Sequence, residues 1–118
     1  MAESTLVLVT KAPYGLEDAF AGLRMALAMS VNGMKTSVVL IEDGIYNGLG
    51  SQKPEAVRMP SNAEATKELY DFDVSVYVVK EDLASRGIEE SRLFEGLKVI
   101  PASEVKKLVS EHDLVTTF

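Results

Sequence analysis

The 118-residue sequence contains no cysteine, no tryptophan and a single histidine, His112. Without a thiol the chain cannot form a disulfide, hold a persulfide or supply a thiolate nucleophile. One imidazole and no thiolate leave the usual zinc and iron–sulfur ligand sets unfilled, and no metal or cofactor is expected. A histidine-based nucleophilic triad cannot be assembled, and no serine sits in a G-x-S-x-G elbow. Long apolar runs are also missing. None approaches the roughly 18 residues that a membrane-spanning helix needs. Met1-Ala2-Glu3-Ser4-Thr5 lacks a basic leader, and Leu6 to Val9 is too short for a secretory core, so a cytoplasmic chain away from membranes is expected. Basic residues are the minority, 12 Lys and Arg against 18 Asp and Glu, for a net charge of −6. A phosphate-binding surface depends on clustered cations. Here the only adjacent basic pair is Lys106-Lys107, so direct nucleic-acid binding is not expected.

What is present suits one folded domain spanning 1–118, with 47% hydrophobic and 25% charged residues. Five β-rich segments alternate with helical patterns: Leu6–Val9, Ser37–Ile41, Val74–Val79, Leu97–Ile100 and Leu114–Phe118. The first three are near-continuous apolar runs, as in strands covered on both faces. The connections are long enough for parallel crossovers, and none resembles a two-residue hairpin. These features predict a three-layer α/β/α sandwich around a five-stranded, mainly parallel sheet.

Leu16, Phe20, Leu23, Leu27 and Val31 form one apolar stripe, predicting a helix from about Leu16 to Val31 ended by Asn32-Gly33. Ala19, Ala21, Ala26 and Ala28 leave this helix little polar surface, so a subunit contact is expected besides the sheet. Its methionines, Met25 and Met29, together with Met34, fill core or meet a partner. Phe20, Met25 and Met29 are candidate interface residues, with Gln52 and Met59 in the long loop Asp43–Pro60. A capping box at Ser61-Asn62-Ala63-Glu64 predicts a helix to about Tyr70. A short helix over Glu81–Arg86 ends at Gly87, and a last helix covers Ser103–Glu111 with Val105, Leu108 and Val109 inward.

Ligands of open parallel sheets bind beyond the carboxyl ends of the strands. That rule selects the turn Lys11-Ala12-Pro13-Tyr14-Gly15, then Glu42 to Tyr46, then Lys80. The first could bind an anion at a helix start through Lys11, Tyr14 and Gly15, or be only a rigid turn; its glycines match no nucleotide-binding motif. Asp43 and Tyr46 complete the candidate ligand site. Neighbouring residues on a strand point to opposite faces, so Glu42 and Asp43 are not expected to converge. Asp43-Gly44 reads instead as a turn with Asp43 bonding nearby backbone amides. His112 falls at the amino end of the last strand, opposite the crevice, as a surface or helix-end histidine.

Several motifs occur in a telling order: Lys11-Ala12-Pro13-Tyr14-Gly15 before an alanine-rich helix, Asp43-Gly44-Ile45-Tyr46, Gln52-Lys53-Pro54, Tyr70-Asp71-Phe72-Asp73-Val74, Leu83-Ala84-Ser85-Arg86-Gly87-Ile88, and Asp113 to Phe118. In this order and spacing the sequence resembles the DsrE/DsrF/DsrH (TusBCD-like) sulfur-relay family, most of all its DsrF/TusC branch. The resemblance implies the family's α/β/α fold and a place in persulfide transfer, toward tRNA 2-thiolation or sulfur oxidation. It implies partners of the DsrE/TusD and DsrH/TusB types, the former bearing the reactive cysteine, or a homo-oligomer. Lacking cysteine, this chain is then expected to be a non-catalytic subunit. The alternative is a small-ligand or anion-binding module at the strand ends. Nothing at recognisable spacing supports an enzyme.

Overall fold

The computed structural model describes residues 4–10, 18–48, 69, 71–93 and 96–118. In chain order the elements are β1 (Ser4–Val9), α1 (Asp18–Val31), β2 (Lys35–Leu40), a 3-10 turn (Glu42–Gly48), β3 (Ser75–Val79), α2 (Lys80–Ser85), a second 3-10 turn (Glu90–Arg92), β4 (Lys98–Ile100), α3 (Ala102–Glu111) and β5 (Leu114–Thr117). The five strands form one sheet in the order β4-β3-β2-β1-β5. Every neighbouring pair is parallel.

The layers follow from the path of the chain. From β1 it steps to β2 on one side; from β4 it crosses back to β5 on the other side of β1. Right-handed crossovers running in opposite directions put their helices on opposite faces. Accordingly Leu23 and Ala26 of α1 share a core with Val7, Val9, Val38, Leu40, Val76 and Val78. On the reverse face Val105 and Leu108 of α3 cover Leu6, Val39 and Val79. Alternate strand residues thus feed two cores of unequal size, the expected α/β/α sandwich.

Strand ends differ from the apolar runs. β1 and β2 start two residues early, because Ser4 pairs with Lys35 and Thr5 with Thr36 in the parallel ladder. Both threonines are buried. Ile41 lies past β2, its amide bonded to the Val9 carbonyl at 3.1 Å. Val74 precedes β3 and Leu97 precedes β4.

In α1 the face against the sheet is built from small residues as well as the expected stripe. An added Cβ at Gly22 would stand 3.0 Å from the Phe118 ring, so glycine here lets Phe118 lie against the helix. Leu23 and Ala26 are fully buried and Leu27 packs at the core margin. The expectation for Val31 fails, since it is 60% exposed. It sits in the last turn, where Asn32 and Gly33 already lead into β2, and Gly33 caps the helix at φ +90°.

The stretch after β2, expected to be irregular from Asp43 onward, begins as the 3-10 turn Glu42–Gly48. The rest of that loop and most of the helix expected from Ser61 to Tyr70 lie outside the described residues; Leu69 is helical and fully buried. α2 ends as expected at Gly87, with φ +65°. The Gly87 amide bonds Ala84 O and the Ile88 amide bonds Leu83 O, at 3.2 and 3.0 Å. This left-handed cap brings buried Ile88 back to the core that also holds Leu83.

The inward set of α3 is corrected at one position. Val105 and Leu108 face the sheet, while Val109 is 39% exposed. Positions 105, 108 and 112 share one helical face through spacings of three, four and seven, and 109 falls to its flank.

Candidate functional site

The carboxyl ends of β2 and β3 lie side by side, and the two turns leaving them are tied together by side chains. Glu42 takes a left-handed conformation, φ 55°, which an L-residue adopts only at some cost. Its amide donates to Asp82 Oδ2 at 2.8 Å, so a carboxylate at the start of α2 holds the strained residue in place. One residue on, Asp43 Oδ1 accepts from Arg86 Nε at 3.1 Å and lies 3.0 Å from Nη2. Arg86 is anchored on its other side: Nη1 lies 3.1 Å from Ser85 Oγ, 3.4 Å from the Asp82 carbonyl and 3.6 Å from Asp82 Oδ1. The guanidinium is therefore three-quarters covered, while Asp43 stays 62% exposed.

Gly44 brings the turn this close. It stacks on the end of β1, where a Cβ would overlap the Val9 carbonyl oxygen. Ile45 and Asn47 are buried, and Asn47 Nδ2 donates to the Gly44 carbonyl at 2.9 Å. Tyr46 packs at the margin of the larger core. From the first turn of α2, the Glu81 carboxylate accepts from the Ala102 amide, its two oxygens at 2.9 and 3.0 Å. It caps α3 from a distance, offsetting one of the unpaired amides at the helix start. Glu81→Ala is expected to lower stability by about 1 kcal/mol, read as a shift of the urea midpoint at constant slope; Glu81→Gln, which keeps an acceptor oxygen, should recover part of it.

Of the candidate ligand residues, Asp43 and Tyr46 stand on this turn, and Lys11, Tyr14 and Gly15 lie outside the described residues. Two expectations need correction. Asp43 bonds the Arg86 side chain rather than nearby amides. Glu42 and Asp43 are beyond the strand in a 3-10 turn, so strand alternation does not govern them; Glu42 is anchored through its amide and Asp43 through its carboxylate. Arg86, Asp82 and Glu81 were missed as site residues. The signal for the first two was the i,i+4 acid–base spacing on a short helix directly after a strand. Nothing local marks Glu81 as a cap for a helix 21 residues on.

The candidate interface residues Phe20, Met25 and Met29 lie on α1, with Met25 and Met29 half-buried beside exposed Ala21 and Ala28; Gln52 and Met59 fall outside the described residues. His112 does lie at the helix end, but it is half-buried rather than a surface group. Its Nδ1 lies 2.7 Å from the Leu108 carbonyl and its Nε2 3.1 Å from Ser37 Oγ. Donation by Nδ1 to the carbonyl leaves Nε2 to accept from the Ser37 hydroxyl. Among the described residues no three His, Asp or Glu side chains gather as a metal site, and no helix is long and apolar enough to cross a membrane.

The family model described as DsrE/DsrF-like matches residues 3–118. The chain belongs to the DsrE/DsrF-like family. Within it, the intracellular sulfur oxidation protein DsrF of Allochromatium vinosum is 27% identical over 96% of this chain and 94% of its own length. The TusC protein of Buchnera aphidicola is 27% identical over 90% and 91%. The crystal structure of the YchN protein from Escherichia coli superposes with a TM-score of 0.90 at 26% identity, covering 98% of this chain and 99% of that one. This DsrE/DsrF-like chain is thus similar along its whole length to the DsrF/TusC branch and shares the fold of YchN.

Proposed function

We propose that this chain is a non-catalytic, DsrF/TusC-like subunit of a cytoplasmic sulfur-relay assembly, joined to a family member that carries the reactive cysteine. The observation that carries the reading is the end-to-end likeness to DsrF and TusC in a sequence without cysteine. Persulfide chemistry starts from a thiolate, so sulfur handed along such an assembly must rest on another chain. What this chain contributes is then surface. The sparsely polar α1, with Phe20, Met25 and Met29, is the proposed contact, since methionine adapts to irregular apolar partners.

The direct experiment is affinity purification of the tagged protein from its native cells, followed by native mass measurement. Recovery in a stoichiometric complex with a cysteine-bearing relative is expected, with radiolabelled persulfide sulfur found on the partner. A protein recovered only as a lone monomer would overturn the reading. Met25→Lys with Met29→Lys should weaken the complex at least tenfold while leaving the fold's circular dichroism intact, because both side chains are half-buried rather than central to the core.

A further inference from the structure

The Asp43–Arg86 pair has an uneven geometry. Arg86 presents the two donors of its Nε/Nη2 edge, at 3.1 and 3.0 Å, to a single oxygen of Asp43. That edge is built for two oxygens side by side, the fork–fork arrangement that makes guanidinium recognition of carboxylate and phosphate strong and directional. Both donors converge on one acceptor, so the two parallel bonds that the edge can form are not made. The opposite side of the guanidinium is fixed by Ser85 and Asp82, so the edge is aimed without help from Asp43. Asp82 is in turn pinned by the Glu42 amide. Asp43, by contrast, is the outermost member, 62% exposed against 25% for Arg86 and 22% for Asp82. An exposed ion pair is weakly held.

We propose that the Nε/Nη2 edge of Arg86 is a receptor for a small-molecule oxyanion, a carboxylate or a phosphate, with Asp43 acting as an internal competitor for it. An incoming group that offers two oxygens replaces one shared acceptor with two parallel bonds, and Asp43 swings into solvent. Arg86 keeps an anionic partner throughout the exchange, and Asp43 keeps its charge in solvent. The site sits on the carboxyl-end edge of the sheet, the edge at which ligands of open parallel sheets bind, one strand removed from β1, where the crossovers reverse direction. It is formed within one chain and does not depend on the proposed sulfur-relay assembly, so it can be tested on the isolated protein.

The experiment is titration of the full-length protein with sodium phosphate and, separately, sodium acetate, each against sodium chloride at matched ionic strength. The readout is the Arg86 Nε–Hε resonance in nitrogen–proton correlation spectra. A saturable shift with phosphate or acetate and none with chloride is expected; the tighter of the two identifies the ligand chemistry. Asp43→Asn should tighten binding about three- to fivefold, the weight of an exposed ion pair. Arg86→Lys keeps the charge but not the fork, and should abolish saturation as followed at the Glu42 and Asp43 amides. The proposal is overturned by shifts that chloride reproduces, by unchanged affinity in Asp43→Asn, or by wild-type binding in a folded Arg86→Lys protein. Asp43→Asn alters an exposed side chain and is informative even if Arg86→Lys does not fold.

Discussion

Replacing Gly44 by alanine is expected to cost about 3 kcal/mol or more, and at a usual domain stability of about 5–15 kcal/mol this removes a large share of the total. An ideal Cβ on Gly44 overlaps the Val9 carbonyl oxygen and lies 2.6 Å from the Val9 carbonyl carbon. Neither atom can turn aside as a side chain would. The Val9 carbonyl already accepts from the Ile41 amide at 3.1 Å, and β1 is held on both sides by β2 and β5. The 3-10 turn must therefore lift, breaking the Gly44–Ile41 bond of 2.9 Å and withdrawing Ile45 from the core. Urea unfolding followed by circular dichroism measures the loss. A Gly44→Ala midpoint equivalent to less than 0.5 kcal/mol of change would show that the close approach is not required.

A second large effect is expected at Leu6. Among the described residues, the core under α3 has Leu6, Val39 and Val79 fully buried, with Leu8, Ile41, Tyr77 and, from the helix, Val105 and Leu108 packed at its margin. Leu6→Ala leaves a cavity that its neighbours, held by the sheet and by α3, can only partly fill, for an expected loss of about 2–5 kcal/mol. The loss should be local in character. Amide hydrogen exchange in α3 should accelerate more than in α1, which rests on the larger core of the other face. Leu23→Ala on that face is the comparison: it should loosen α1 first. Equal acceleration of both helices in both variants would mean that the two cores do not open separately.

The sheet was legible because apolar β-branched runs separated by helix-length connections leave few other arrangements. Its order was not, since spacing along a chain does not say on which side of β1 the strand from Leu114 lies. Glycine caps at Gly33 and Gly87 were readable from local chemistry. The site was only half readable. Asp43 and Tyr46 stand at a strand end where the general rule directs attention, but the side chains that organise the place, Arg86 and Asp82, come from the next crossover. Likewise Ser37 meets His112 across 75 residues, and the Glu81 cap on α3 spans 21. Contacts made by tertiary proximity leave no periodic trace, whereas Val31 and Val109 show that a periodic trace can run past the surface it serves.

The pairing of β1 with β5 also bears on how the molecule comes into being. Ser4 and Asp113, which bond each other where these two strands begin, are separated by 109 positions. β2 can join β1 as soon as α1 has been made, but the other flank of β1 waits for β5, which follows all the other described elements along the chain. Closing so long a loop is an entropic hurdle to be passed before the contacts reward it. The nascent chain thus carries Leu6, Val7 and Val9 with one flank of backbone amides unmatched, and the arrival of β5 is the step that ends its exposure to stray strands.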